Sequence, residues 1–142
     1  MSGAALETEP VRFAGYAAIF ERQDNGGDII APGAFAQSLS RLGKSELPLL
    51  WQHGPEARIG TIEAAGEDER GLRVVGRIEG MGATARRAAA LVREGRIDGL
   101  SFGYRVLAAR GGKPRRLEAL DLVEVSLVTH PMQPLARVHA VA

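Results

Sequence analysis

Gly99 to Thr129 reads GLSFGYRVLAARGGKPRRLEALDLVEVSLVT. Gly99 to Leu107 and Leu122 to Thr129 are rich in aliphatic, aromatic and β-branched residues, the side chains that suit a pleated, half-buried strand. Between them Gly111-Gly112-Lys113-Pro114 is turn chemistry, and Arg115 to Leu120 reads as a further stretch able to pair on one side of that turn. Upstream, Arg12 to Phe20 (RFAGYAAIF) predicts a strand bulged at Gly15. Leu47 to His53 (LPLLWQH) predicts a compact buried strand with a polar tip. Arg58 to Ala64 and Gly71 to Ile78 flank the acidic Gly66–Arg70 segment as the arms of a hairpin, and the run Glu67-Asp68-Glu69 reads as a solvated tip. Ala136 to Val141 offers a last short strand.

Two helices interrupt this strand-heavy order. Pro32-Gly33 precedes AFAQSLSRL, where Phe35, Leu39 and Leu42 fall at helical spacing and Gly43 stands at the cap position. Thr84 to Glu94 (TARRAAALVRE) is alanine-rich and amphipathic, with Gly95 behind it. There is no βαβ alternation, internal repeat or linker. The expected architecture is therefore mainly β with peripheral helices, a closed or nearly closed barrel with short helices packed outside. Met1 to Pro10 is small and polar and reads as a flexible tail, leaving residues 11–142 as a single domain.

Composition narrows the function. The 142 residues are 45% hydrophobic and 25% charged, with 18 Lys+Arg against 17 Asp+Glu and a net charge of +1. Such a balance speaks against a dedicated nucleic-acid binder, whose affinity comes from clustered positive charge. The basic spots at Arg86-Arg87 and Arg110–Arg116 lack interleaved aromatics and read as solvated surface. Cysteine is absent, which removes disulfides, thiolate metal sites and a cysteine nucleophile. Neither a secretory signal nor a membrane-length apolar run is visible, so the reading is a soluble, intracellular chain. No phosphate-binding loop or zinc pair is present, and Asp24 and Asp28 lack calcium-loop spacing. No cofactor and no metal is expected.

Three positions can carry chemistry. His53 sits at the lip of a strand before Gly54-Pro55, where an imidazole keeps a pKa near ~6.5 and serves as a general base; taken alone, the position suits a solvated loop histidine better. Ser101 is flanked by Gly99 and Gly103, which relieve crowding around a nucleophile, although no strand-to-helix elbow follows. Glu124 lies among apolar neighbours and needs a partner, since a lone buried carboxylate costs several kcal/mol or becomes protonated. That partner is either a histidine, as in a Ser-His-acid triad, or an arginine. Asp121 is the rival carboxylate, and His130 and His139 are the remaining histidines.

Taken in order, these segments resemble the HK97-type prohead protease family of tailed phages. Phe13-Ala14-Gly15-Tyr16-Ala17 with Phe20 is similar to its opening block. Gly27-Asp28 through Pro32-Gly33-Ala34-Phe35, Leu49 to His53 with Ile59-Gly60, Gly99 to Tyr104, and Leu122 to Val128 with Pro131 continue it. The resemblance implies a herpesvirus-assemblin-like β-barrel ringed by helices, with Ser101 as nucleophile and His53 as general base. Where the assemblin group places a histidine as third member, the matching position here is Glu124, with His130 and Asp121 as fallbacks. Arg137 is a candidate helper of the oxyanion donors.

The implied function is a serine endopeptidase cutting the scaffolding segment of a major capsid protein, and itself, inside an assembling procapsid in the host cytoplasm. The implied partners are that capsid protein and a second copy of the chain in a homodimer, the exposed face of the 84–94 helix being available for it. No nucleic acid and no membrane is implied. Two alternatives are a non-catalytic assembly factor retaining the fold and an unrelated β-barrel binding module. The chain stops soon after the last block, without a long charged or helical tail. That reads as a minimal form, a self-processed form, or one recruited by another protein, a gene transfer agent being one setting.

Overall fold

The computed structural model describes residues 9–42, 46–80 and 82–142. Most of the expected tail, and the expected helix cap at Gly43, lie outside the described residues. In chain order the elements are β1 Val11–Ile19, β2 Asp28–Ile30, α1 Ala36–Leu42, β3 Leu47–Trp51, β4 Arg58–Glu67, β5 Gly71–Ile78, α2 Ala83–Arg93, β6 Gly99–Arg110, β7 Arg115–Val128 and β8 Val138–Val141. The mainly β architecture with a few short helices is the one expected.

The strands make one curled sheet. β8, β1, β5, β4 and β3 follow one another antiparallel, and β3 then runs parallel to β7, whose other edge pairs antiparallel with β6. The sheet returns on itself where Gly99 bridges Arg137, with Leu100 N–H donating to the Ala136 carbonyl at 2.9 Å and Val138 N–H to that of Asp98 at 2.8 Å. Beyond Leu100 no described strand pairs with the outer edge of β6. The barrel is thus zipped at one end of its seam and open along the rest. Its interior is filled by side chains such as Phe13, Phe35, Leu49, Leu72, Leu100 and Leu127, each at most 2% exposed, which is what alternation on a sheet with one buried face produces.

Two local readings change. Arg115–Leu120 and Leu122–Thr129 are one strand, β7, long enough to hold β2 beside Arg115–Leu117 and β3 beside Val125–Leu127 on the same edge. The acidic run Glu67-Asp68-Glu69 at the end of β4 is exposed from Asp68 on, but its first two carboxylates are engaged rather than free. Glu67 accepts hydrogen bonds from Gly33 N–H and Phe35 N–H, both at 2.8 Å, and so satisfies donors at the start of the α1 segment from across the fold. Asp68 accepts the Tyr16 phenol together with the N–H groups of Arg70 and Gly71. The bulge expected at Gly15 is present against β8, between Ala14 and Gly15, and a second irregularity falls between Tyr16 and Ala18 against β5. α2 buries Ala85, Ala88 and Val92, and α1 is fixed to β7 by the Ser38 hydroxyl, which accepts Leu122 N–H at 2.9 Å.

Candidate active site

β3 ends at Trp51, and the next two residues turn left-handed, Gln52 with φ 52° and His53 with φ 61°. Non-glycine residues disfavour that region by about 1–2 kcal/mol each, so the turn persists only because its surroundings fix it. Gln52 N–H donates to the Leu127 carbonyl at 2.9 Å. The Gln52 amide bonds Thr129 twice, accepting its N–H at 3.0 Å and donating to its hydroxyl at 2.6 Å. His53 N–H donates to the Ser126 hydroxyl at 3.1 Å. The consequence is an imidazole turned back over β7, where Nδ1 lies 2.8 Å and 3.1 Å from the two Glu124 oxygens.

Glu124 reaches that position through register. Ser101 pairs with Ser126 and Gly103 with Glu124, so these four residues share one face of the β6–β7 ladder. Immediately afterwards the register shifts, Tyr104 pairing with Leu122, and the extra residue Val123 points outward and is exposed. Such bulges re-aim neighbouring side chains. The Glu124 side chain then lies across Gly103: a Cβ there would sit 2.9 Å from Cγ and 3.0 Å from Cδ. At Gly99 a Cβ would meet the Val128 carbonyl oxygen at 2.5 Å. The glycines flanking Ser101 are therefore packing requirements of the strand pair rather than parts of a nucleophile elbow.

The Glu124 side chain is 8% exposed and that of His53 45%. The hydrogen bond to Glu124 raises the His53 pKa above its ordinary value, partial burial opposes the rise, and the carboxylate's charge adds to it. A carboxylate only accepts, so in the neutral ring Nδ1 carries the proton and Nε2 keeps its lone pair. His53 and Ser101 line one small cavity of about 90 Å³ together with Asp24, Tyr104, Met132 and Gln133. Among the described residues no hydrogen bond joins Ser101 to His53. In unliganded sites such bonds are commonly long and tighten with substrate.

The structure thus brings together Ser101, His53 and Glu124 and leaves the fallbacks elsewhere. Asp121 pairs with Arg41 at 3.2 Å and faces Arg105 at 4.0 Å. His130 is exposed. The Arg137 guanidinium bonds Asp98 and the Pro134 carbonyl, both at 2.8 Å, and borders a different hollow beside Trp51 and Thr129. It therefore has no place in the Ser101 cavity. Asp24 is occupied in its own turn, accepting the N–H groups of Gly26 and Asp28.

Two contributors escaped the sequence reading. Ser126 lies two residues beyond Glu124 in an alternating strand, a spacing that marks a shared face. Gln133 clamps Ile19 with a pair of 2.8 Å hydrogen bonds, its amide oxygen accepting the Ile19 N–H and its amide nitrogen donating to the Ile19 carbonyl. No local sequence signal announces that contact, which spans most of the chain.

Fold and site together define a small, partly open β-barrel of the herpesvirus-protease type, carrying a histidine–carboxylate pair beside a serine. Among solved structures it is similar to the protease of KSHV (14% identity, TM-score 0.64, 94% of this chain and 65% of that one) and to the bacteriophage T4 capsid assembly protease gp21 (15% identity, TM-score 0.68, 84% and 81%). The varicella-zoster virus protease also matches (17% identity, TM-score 0.57, 92% and 64%).

The chain belongs to the caudovirus prohead serine protease family, whose model matches residues 3–142. It is 30% identical over 135 residues to the prohead protease of Enterobacteria phage HK97, a match covering 90% of this chain and 59% of that relative's length. No helix among the described residues is long and apolar enough to cross a membrane.

Proposed function

We propose that the protein is a capsid-maturation endopeptidase working by acyl transfer, with Ser101 as nucleophile, His53 as general base and Glu124 as the group that orients His53. The observation that carries this reading is the 2.8 Å contact between His53 Nδ1 and Glu124 beside a serine opening onto the same cavity. With Nδ1–H directed at Glu124, Nε2 takes the Ser101 proton as Oγ attacks a peptide carbonyl. The resulting imidazolium is stabilised by the carboxylate and returns the proton to the leaving amine. Water then repeats the cycle on the acyl-enzyme. Beyond Leu100 the outer edge of β6 has no described strand neighbour, the kind of edge to which an extended substrate adds a strand.

Family membership supports the substrates: the scaffolding segment of a major capsid protein, and the protease itself, cut inside the procapsid. Removing the scaffold would make assembly irreversible and clear the shell. The test is co-expression with the cognate capsid protein, comparing wild type with Ser101→Ala and His53→Ala. Trimming of the capsid protein by the wild type alone is expected. Trimming that persists in Ser101→Ala removes the nucleophile assignment, and no trimming even by the wild type leaves the fold in the role of a non-catalytic assembly factor.

A further inference from the structure

His53 is held at both of its ends by one carboxylate–hydroxyl pair. Its backbone N–H donates to Ser126 Oγ at 3.1 Å. The Ser126 O–H donates to Glu124, 3.0 Å and 3.1 Å from its oxygens. The same carboxylate accepts His53 Nδ1–H at 2.8 Å. These bonds close a ring that passes through the histidine's own side chain. A hydroxyl has one donor and two lone pairs, so Ser126 can serve both neighbours at once, which neither alanine nor an apolar residue does.

We propose that Ser126 is a positioning residue for His53, fixing the direction of Nε2 by tying the left-handed turn and the carboxylate to each other. The proposal rests on the acyl-transfer reading above. Ser126 is fully buried and paired in register with Ser101, so it faces the site without access to substrate and is not a second nucleophile. Its place two residues after Glu124 on β7 puts both on one face. The neighbouring Gln52–Thr129 bonds are independent of it and hold the turn's other residue. Removing the hydroxyl should therefore loosen the histidine without unfolding the strand pair. It also leaves the His53 N–H without its acceptor and Glu124 with one donor fewer.

The test compares wild type and Ser126→Ala on a peptide spanning a cleavage site, alongside the low-field proton NMR signal of His53 Nδ1–H, assigned by its loss in His53→Ala. Expected for Ser126→Ala is a kcat lower by about tenfold or more at unchanged KM, as befits a misdirected catalytic group, with the low-field signal broadened or lost. A kcat equal to wild type overturns the proposal, and so does a fall in kcat with the signal intact, because the loss then does not pass through His53. If alanine prevents folding, Ser126→Cys keeps the volume with a much weaker donor and is held to the same two readouts. Should the wild type show no Ser101-dependent cleavage, the acyl-transfer reading fails on its own, and the NMR comparison still decides whether Ser126 positions His53.

Discussion

At its first residues β7 carries Arg115 and Arg116, and further along it carries Glu124. Arg115 meets Asp28 through two 3.0 Å contacts and Arg116 meets Glu21 at 2.8 Å, while Arg110 on the adjoining β6 meets Glu118 at 2.7 Å. At the other end Glu124 meets His53 at the same kind of distance, 2.8 Å. The geometry is alike and the chemistry is not. A guanidinium keeps its proton throughout the accessible pH range, so its pairs, half-buried at Arg115 and mostly exposed at Arg110, join neighbours without exchanging a proton. An imidazole exchanges its proton near neutrality, and a carboxylate almost wholly withdrawn from solvent governs that exchange. One strand thus supplies a structural end and a reactive end, and the partner's pKa and the burial of the carboxylate separate them.

The sharpest way to break this contrast is Glu124→Gln. An amide can donate to Nδ1 and favour the wrong tautomer, so kcat is expected to fall by a factor on the order of 10³–10⁴ with the fold retained by circular dichroism. Next in size is Gly103→Ala, whose methyl must displace the Glu124 side chain; kcat is expected to drop by roughly a hundredfold, the scale of a small misplacement. A double variant Glu124→Gln/Gly103→Ala no slower than Glu124→Gln alone would show that the glycine acts through the carboxylate.

A third effect is a shift rather than a loss. Because the paired His53 holds its proton more tightly than a free one, the acid limb of kcat/KM is expected above the ordinary imidazole value of about 6.5 and should move to lower pH in Glu124→Gln. Stability runs the other way. The contribution of the pair is complete below about 6.5 and fades as pH rises through the raised folded value, which thermal unfolding across that window measures. Smallest of all, Arg110→Ala at the other end should leave both kcat and melting temperature at wild-type values. A large loss of cleavage there would erase the distinction between the two ends.

Much of this was legible in residue order. Apolar and aromatic composition announced β1 and β3, alternation the β4–β5 hairpin, an alanine-rich amphipathic run α2, and an apolar neighbourhood that Glu124 needed a partner. The choice of histidine over arginine was not legible, because it depends on a left-handed turn at Gln52–His53 that contains no glycine at either residue. The continuity of β7 was hidden for a related reason: Arg115, Arg116 and Asp121 look like loop chemistry until the neighbours that pair with them are in place. Glu67 and Gln133 satisfy backbone groups far away in sequence, and nothing in their own surroundings records which groups those are. Register at Val123 is likewise a property of two strands, and a single strand's pattern cannot carry it.

The proposed chemistry turns on a Ser101 activated by His53 under the direction of Glu124. Reaction of the protein with a fluorophosphonate, followed by mass mapping of the adduct, tests it most directly. One adduct is expected, on Ser101, formed slowly or not at all in His53→Ala and Glu124→Gln. An unlabelled Ser101 in a preparation that still trims its capsid protein, or an adduct on another residue, would contradict it.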